Sequence, residues 1–212
     1  MSYRPVFISA VFLLLFAVIG SGLVAYTFDS TEERIAENQR RALLNSLNEL
    51  VPSDRYDNNI FSDILLVSNR ELLGTDEPIP VYRARKGGWP VAAVLAPVAT
   101  DGYNGNIRLL VAINLDGTLA GTRVVQHRET PGLGDGIEAS RSDWILGFDG
   151  KSLSNTAKKD WRVKRDGGQF DQFTGATITP RAVVKAVHKA LLYFKIHRQK
   201  LFAQAPETSA DL

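Results

Sequence analysis

The hydrophobic pattern along the chain changes character three times, and the first stretch is the plainest. Residues 6–25, VFISAVFLLLFAVIGSGLVA, carry no charged side chain. At about 1.5 Å per residue, a helix of that length spans the roughly 30 Å hydrocarbon core of a bilayer. The run has no polar stripe of the kind a helix on a soluble core would show. It is longer than the roughly 7–15 apolar residues of a cleaved secretory signal, and the small-x-small cleavage pattern around Gly20 to Ala25 is poorly formed. The pattern predicts a retained transmembrane anchor over residues 6–26, preceded by a short cytoplasmic segment, residues 1–5. Arg4 and the amino terminus precede the run, whereas Asp29, Glu32 and Glu33 follow it. The positive bias therefore lies on the N-terminal side, and the bulk of the chain is expected outside the cytoplasm.

After the anchor, Ser30-Thr31-Glu32-Glu33 has the form of a capping box and predicts a helix start. An intermittent stripe of Ile35, Leu43, Leu44, Leu47 and Leu50 carries that helix to Val51-Pro52, which stops it. Residues 27–78 are read as this linker helix and the beginning of the outer domain; the short apolar run 60–67 fits helix or strand. From residue 79 to 126 the period shortens to that of strands. Four are predicted, over 80–85, 91–99, 107–114 and 119–126, separated by Lys86-Gly87-Gly88, Asp101-Gly102 and Asp116-Gly117. Connections this short imply antiparallel pairing. A Gly-rich loop, a short helix near residues 141–146 and an irregular stretch follow. The last periodic segment, with Ala182, Val183, Ala186, Val187, Ala190, Leu191 and Phe194 at spacings of three and four, predicts a helix from Pro180 to about Phe202. The fold class is therefore α+β: an N-terminal transmembrane helix, then a domain over residues 79–202 with an antiparallel sheet and packed helices. Residues 203–212 are read as a flexible polar tail.

Composition narrows the chemistry. The 25 basic and 23 acidic residues are interspersed, for a net charge of +2, so no basic face of the kind nucleic-acid binding requires is expected. There is no cysteine, which excludes disulfides, thiol catalysis and cysteine-ligated clusters in this chain. The histidines, His127, His188 and His197, are too scattered to suggest a metal site. No catalytic group is singled out, and redox chemistry would have to come from an organic cofactor or haem.

The most informative stretch is residues 171–180, DQFTGATITP. Thr179 followed by Pro180 reads as an N-cap and first helical residue. A fixed helix start presents free N–H groups that favour phosphate, and Gly175-Ala176 lets the backbone approach an anion closely. Thr177 is then a hydroxyl beside a phosphate-friendly pocket. By composition alone, the preferred reading is that the threonines and glycine here only cap and turn.

Asp171-Gln172-Phe173-Thr174-Gly175-Ala176-Thr177 resembles the flavinylation motif of the FMN-binding family found in the Rnf and Nqr ion-translocating complexes. Asp101-Gly102-Tyr103-Asn104-Gly105, His127-Arg128-Glu129-Thr130-Pro131-Gly132-Leu133-Gly134, Ser142-Asp143-Trp144, Phe148-Asp149-Gly150 and Asp166-Gly167-Gly168-Gln169-Phe170-Asp171 are similar to further stretches of the Rnf G subunits. The resemblance runs over about residues 91–195, and the single anchor extends it to nearly the whole chain. It implies a single-pass protein of the bacterial inner membrane with its C-terminal domain on the periplasmic side. It also implies FMN joined covalently to Thr177 as a phosphodiester, attached by a separate Mg-dependent flavin transferase that uses FAD. Asp171 is either part of what the transferase recognises or the start of an Asx turn. The family pattern alone singles out Thr177 from the nearby Thr174 and Thr179.

With the resemblance, the expected cofactor contacts are Thr174, Gly175, Ala176 and Thr177 at the helix start and Glu129, Thr130, Leu133 and Gly134 in the glycine loop. Glycine-loop N–H groups would face the polar edge of the flavin, Leu133 its face, and Glu129 would bind the ring unless it is a solvated loop charge. Trp144 is expected to be core rather than a contact. The implied role is that of an electron-transferring member of a complex, not a stand-alone enzyme. Its partners would be the other Rnf-type subunits, integral membrane and iron–sulfur proteins, coupling electron transfer between ferredoxin and NAD to cation movement. The competing reading is a solitary anchored flavin reductase with its own small substrate.

Overall fold

The computed structural model describes residues 3–203. The expected tail over residues 204–212 and the first two residues lie outside them. The chain divides into two compact units, Met1–Asn45 and Ser46–Leu212. The first consists of the long helix α1, Arg4–Leu50, whose last turns belong to the second unit. Its apolar N-terminal part is long and apolar enough to cross a membrane, and none of that segment's surface is buried. The helix does not restart at Ser30. Thr27, Ser30 and Thr31 all donate their hydroxyls to helix carbonyls three or four residues back. A capping box needs a non-helical first residue, and here the helix has already formed upstream. The predicted stop is where the sequence put it: Val51 N–H closes the last turn on Leu47, and Pro52 is extended.

The second unit is a six-stranded antiparallel sheet: β1 Ile64–Asn69, β2 Thr75–Lys86, β3 Trp89–Leu95, β4 Val98–Gly102, β5 Gly105–Asn114 and β6 Leu119–Gln126. The undecided run 60–67 contributes β1, which pairs with β2 at the sheet's edge. The single strand expected over 91–99 is two. Both halves pair with β5 in one register, Leu95 opposite Val111 and Val98 opposite Arg108. Pro97 between them has no N–H for the ladder, although its carbonyl still accepts from Leu109 at 3.0 Å. β6 lies on the other side of β5. A short helix, α2 Arg70–Leu73, capped by Asn69, links β1 to β2.

The two faces of the sheet are separated by the strand alternation. Ile107, Leu109, Val111 and Ile113 of β5 join Val183, Val187, Leu191 and Phe194 of the final helix, α3 Ile178–Phe202, in one core. On the opposite face Leu110 and Ala112 are buried. Leu50 covers that side: a Cβ at Gly121, the residue opposite Ala112, would lie 2.9 Å from Leu50 Cδ2. The end of α3 is held by two arginines of β2. The buried Arg83 donates to the carbonyls of Ala203 (2.8 Å) and Leu201 (3.4 Å), Arg85 donates to that of Phe202 (3.2 Å), and Asp63 pairs with both guanidinium groups. Cations at a helix C-terminus satisfy the unpaired carbonyls and oppose the dipole. With its far end fixed in this way and one face in the core, α3 presents its N-terminus at a defined place.

Candidate functional site

α3 begins at Ile178, two residues before the predicted start. Thr177, not Thr179, holds the position before the first helical residue, and its hydroxyl makes no capping hydrogen bond. Thr179 is buried and donates its hydroxyl to Glu129 Oε2 instead. Pro180 therefore stands third in the helix, still in the first turn, where a missing N–H leaves no bond unmade. The N–H groups of Ile178 and Thr179 precede the first intrahelical bond, which Arg181 makes to the Thr177 carbonyl at 3.3 Å. The chain enters this helix through a tight turn in which Ala176 N–H donates to Phe173 O at 3.1 Å. Gly175 is left-handed there, with φ 82°, and even an added Cβ would sit 3.4 Å from Leu133 Cδ2. Glycine is what the turn requires.

The second wall is the loop from Glu129 to Gly134. Four of its N–H groups, including all those of its glycines, are bonded within the loop rather than offered outward as expected. Gly132 donates to Asp135 Oδ1 at 2.8 Å, Leu133 and Gly134 both donate to the Thr130 carbonyl at 3.1 and 3.0 Å, and Glu129 donates to His127 Nδ1 at 3.0 Å. Pro131 has none. The loop closes on itself, which makes it rigid and takes those donors away from a ligand. Nor is Glu129 a solvated charge. It is 4 % exposed, and its carboxylate accepts the Asn104 N–H on Oε1 (3.0 Å) as well as the Thr179 hydroxyl on Oε2. A single side chain thus joins the glycine loop, the β4–β5 turn and the head of α3. Asn104 adds a second tie from its amide to Thr130 Oγ1 at 3.1 Å.

Between these walls lies a cavity of about 370 Å³ lined by Tyr103, Glu129, Thr130, Leu133, Gly134 and residues 175–179. That volume falls in the range of about 300–1,000 Å³ usual for small-molecule sites. Of the residues expected to bind, Gly175, Ala176, Thr177, Glu129, Thr130, Leu133 and Gly134 come together here. Thr174 does not line the cavity. Sequence reasoning passed over Tyr103, Ile178 and Thr179. Tyr103 stands in one of the turn motifs that carry the resemblance and Ile178 is an apolar residue at a helix start, but no local signal links Thr179 to Glu129. Trp144 is outside the cavity. Its ring packs edge-on against Phe148 and Phe173, and its indole N–H donates to the Asp171 carbonyl at 2.8 Å.

No lysine or arginine lines the cavity among the described residues. Three cations of the surrounding elements are paired with carboxylates. Lys185 pairs with Asp101, Lys164 with Asp171 at 2.6 Å, and Arg181 grips both carboxylate oxygens of Asp166 at 2.6 and 2.9 Å. The Lys185 ammonium holds the Asp101 carboxyl below the usual carboxylate range, and the Arg181 guanidinium does the same to Asp166. With no lysine or arginine in the lining, the N-terminus of α3 is the group within the cavity wall that would meet an anion. The mouth is apolar: Tyr103, Leu133 and Ile178 are 65 %, 48 % and 44 % exposed. A free hydroxyl, unpaired helix N–H groups and an apolar rim are the parts that a phosphorylated planar ring system needs, so the residues fit FMN.

Residues 102–192 match the FMN-binding domain family, a span that contains every residue lining the cavity, and residues 1–50 match the RnfG N-terminal region. Several relatives are similar over nearly their whole length, and each is named as the G subunit of an ion-translocating oxidoreductase complex. The one from Pseudomonas aeruginosa is 52% identical over 207 residues, covering 98% of this chain and 96% of that protein. The one from Pseudoalteromonas atlantica is 48% identical over 200 residues (94% and 93%), and the one from Shewanella oneidensis 46% over 201 residues (95% of each).

Proposed function

The chain belongs to the family of ion-translocating oxidoreductase complex G subunits, electron-transfer subunits with an FMN-binding domain, and we propose that it carries its FMN as a phosphodiester on Thr177. The observation that supports this most directly is the placement of the Thr177 hydroxyl. Thr177 lines the cavity at the head of α3, and its hydroxyl takes no part in capping that helix. Threonine is a weak nucleophile unless activated, and the cavity offers it no free base, since the Glu129 carboxylate already accepts from Thr179 and Asn104. As the family resemblance implies, the chain is the substrate of a separate flavin transferase. Thr177 Oγ1 attacks the flavin-side phosphorus of FAD, the phosphoanhydride breaks, AMP leaves, and the hydroxyl proton goes to a base of the transferase.

In the loaded protein, the N–H groups of Ile178 and Thr179 and the dipole of α3 would hold the phosphate. The Thr130 hydroxyl can donate to the ring, and Leu133, Ile178 and Tyr103 would supply apolar contact and exclude water. FMN supplies the electron chemistry, taking up and releasing electrons singly or in pairs. The residues around it position it and set its potential. A covalent bond suits a domain outside the cytoplasm, where a dissociated cofactor would be diluted away. Periplasmic placement of the domain is supported by the charge bias around the anchor. The other subunits of an Rnf-type complex, membrane-integral and iron–sulfur proteins, are the partners, in coupling electron flow between ferredoxin and NAD to cation movement across the inner membrane.

Intact-mass measurement tests the central claim. Co-expressed with a flavin transferase, the wild-type chain gains one FMN less water, and Thr177→Val gains nothing. Unmodified wild type, or modification of the Thr177→Val variant, overturns it.

A further inference from the structure

Two side chains following the glycine loop reach back to hold it. Asp135 takes the Gly132 N–H on Oδ1. Glu138 Oε1 lies 2.6 Å from His127 Nε2, while His127 Nδ1 lies 3.0 Å from the Glu129 nitrogen. A backbone N–H can be received only by a ring nitrogen with a free lone pair, so Nδ1 carries no proton, and the single proton of a neutral imidazole is on Nε2. A carboxylate accepts and does not donate, so the Glu138 contact demands the same tautomer. Glu138 is itself fixed: its N–H donates to the Asp135 carbonyl at 3.0 Å, and its Oε2 accepts from Ser140 Oγ at 3.2 Å. The His127 side chain is 12% exposed, which limits competition from water.

What this ring holds is the backbone of Glu129. The carboxylate of the same residue joins the head of α3 through Thr179 and the β4–β5 turn through Asn104. A shift of the Glu129 backbone would therefore move all three walls of the cavity together. We propose that His127 is a positioning residue of the flavin pocket: held by Glu138 as the Nε2-protonated tautomer, it fixes the Glu129 backbone through the lone pair of Nδ1 and thereby sets the spacing between the glycine loop and the head of α3. In the other tautomer Nδ1–H would oppose Glu129 N–H, and the loop would lose its first anchor. The inference rests on the flavin reading of the cavity, but the histidine's tautomer can be tested apart from it.

The full-length chain, labelled with 15N in its histidine side chains and held in detergent micelles, gives long-range nitrogen–proton correlation patterns that distinguish the two neutral tautomers. The His127 signals, identified by their loss in His127→Asn, are expected to show the proton on Nε2; a proton on Nδ1 overturns the proposal. Glu138→Leu is expected to convert that pattern to a mixture, and an unchanged pattern overturns the role of Glu138. In the flavin-loaded protein, His127→Leu removes the acceptor, whereas His127→Asn places an amide oxygen where Nδ1 stands. The leucine variant is expected to lose the wild-type midpoint potential and visible flavin dichroism, and the asparagine variant to recover both. Equal behaviour of the two variants overturns the positioning role, and should the leucine variant fail to fold, the tautomer spectra and the Glu138→Leu comparison still decide. A wild type that takes up no flavin defeats the reading of the cavity, a result distinct from any change in the histidine spectra.

Discussion

Replacing Glu129 with leucine removes the one acceptor shared by two elements of the cavity. Two donors lose their partner, the Thr179 hydroxyl and the Asn104 N–H. Thr179 is 1 % exposed, so water does not replace the carboxylate there, and an orphaned buried donor costs about 1–3 kcal/mol. Asn104 is exposed and its N–H regains water, so its share is smaller. Together the loss comes to about 2–4 kcal/mol, or roughly 5–15 °C in Tm for a domain of this size. Glutamine at the same place keeps an oxygen for Asn104, and its amide group can donate to Thr179 once the hydroxyl turns, so Glu129→Gln should cost only about 1 kcal/mol. The assay is thermal unfolding of the detergent-solubilised full chain, followed by the fluorescence of the buried Trp161. Thr179→Val supplies the control: it should destabilise the wild type, yet be nearly neutral in the Glu129→Leu background, where the hydroxyl has already lost its acceptor. The reasoning is refuted if Glu129→Leu lies within about 0.5 kcal/mol of wild type, or if the effects of the two changes simply add.

Three other perturbations probe the frame around the site. Gly134 has ordinary helical angles, but a Cβ there would lie 2.9 Å from Glu129 Cβ and 3.0 Å from Thr179 Oγ1. Gly134→Ala should therefore lower the urea midpoint by the equivalent of about 1–3 kcal/mol and reduce flavin incorporation, and wild-type values for both would contradict the packing described. Arg83→Met leaves Asp63 with Arg85 alone and unties the end of α3. The expected loss is about 2–4 kcal/mol, and hydrogen exchange should quicken in the last turn of α3 before the first. Burial beside Trp161, with Lys158 adding to it, pushes the His188 imidazole below its ordinary value. The unfolded chain then binds that proton more readily than the native one, so stability is lost as pH falls below about 6.5. His188→Phe keeps the ring stack, and its unfolding free energy should fall less than that of wild type between pH 7 and 5; parallel curves would refute the linkage.

Several expectations failed for local reasons that can be named. The capping box at Ser30 matches a pattern, but a serine already inside a helix bonds backward to Thr27. The apolar run 91–99 reads as one strand although it contains Pro97; the register does continue across the proline while the hydrogen-bond ladder does not. The run 60–67 is no failed expectation but an open one: it fits either element because β1 is an edge strand whose apolar residues are only partly covered, with Leu66 65 % exposed. The glycine loop is expected to offer its N–H groups to a ligand, and in the folded chain Gly132, Leu133 and Gly134 bond within their own turn. The site as a set of residues was legible only through the family motif, since threonine, glycine and alanine before a helix fit a plain cap as well.

The sequence by itself determined the long apolar N-terminal helix, the antiparallel strands and the final helix, because each follows from the spacing of apolar residues within one segment and from turn residues beside it. Tertiary structure alone decided that Glu129 is buried and accepts from Thr179 and Asn104, that Thr177 rather than Thr179 stands at the head of α3, and that His127 meets Glu138. The physical reason is the range of the interactions. Helix and strand periodicity is read over a few neighbours, whereas a buried hydroxyl chooses its acceptor from whatever the packed sheet brings within hydrogen-bond distance, here a carboxylate fifty positions earlier in the chain.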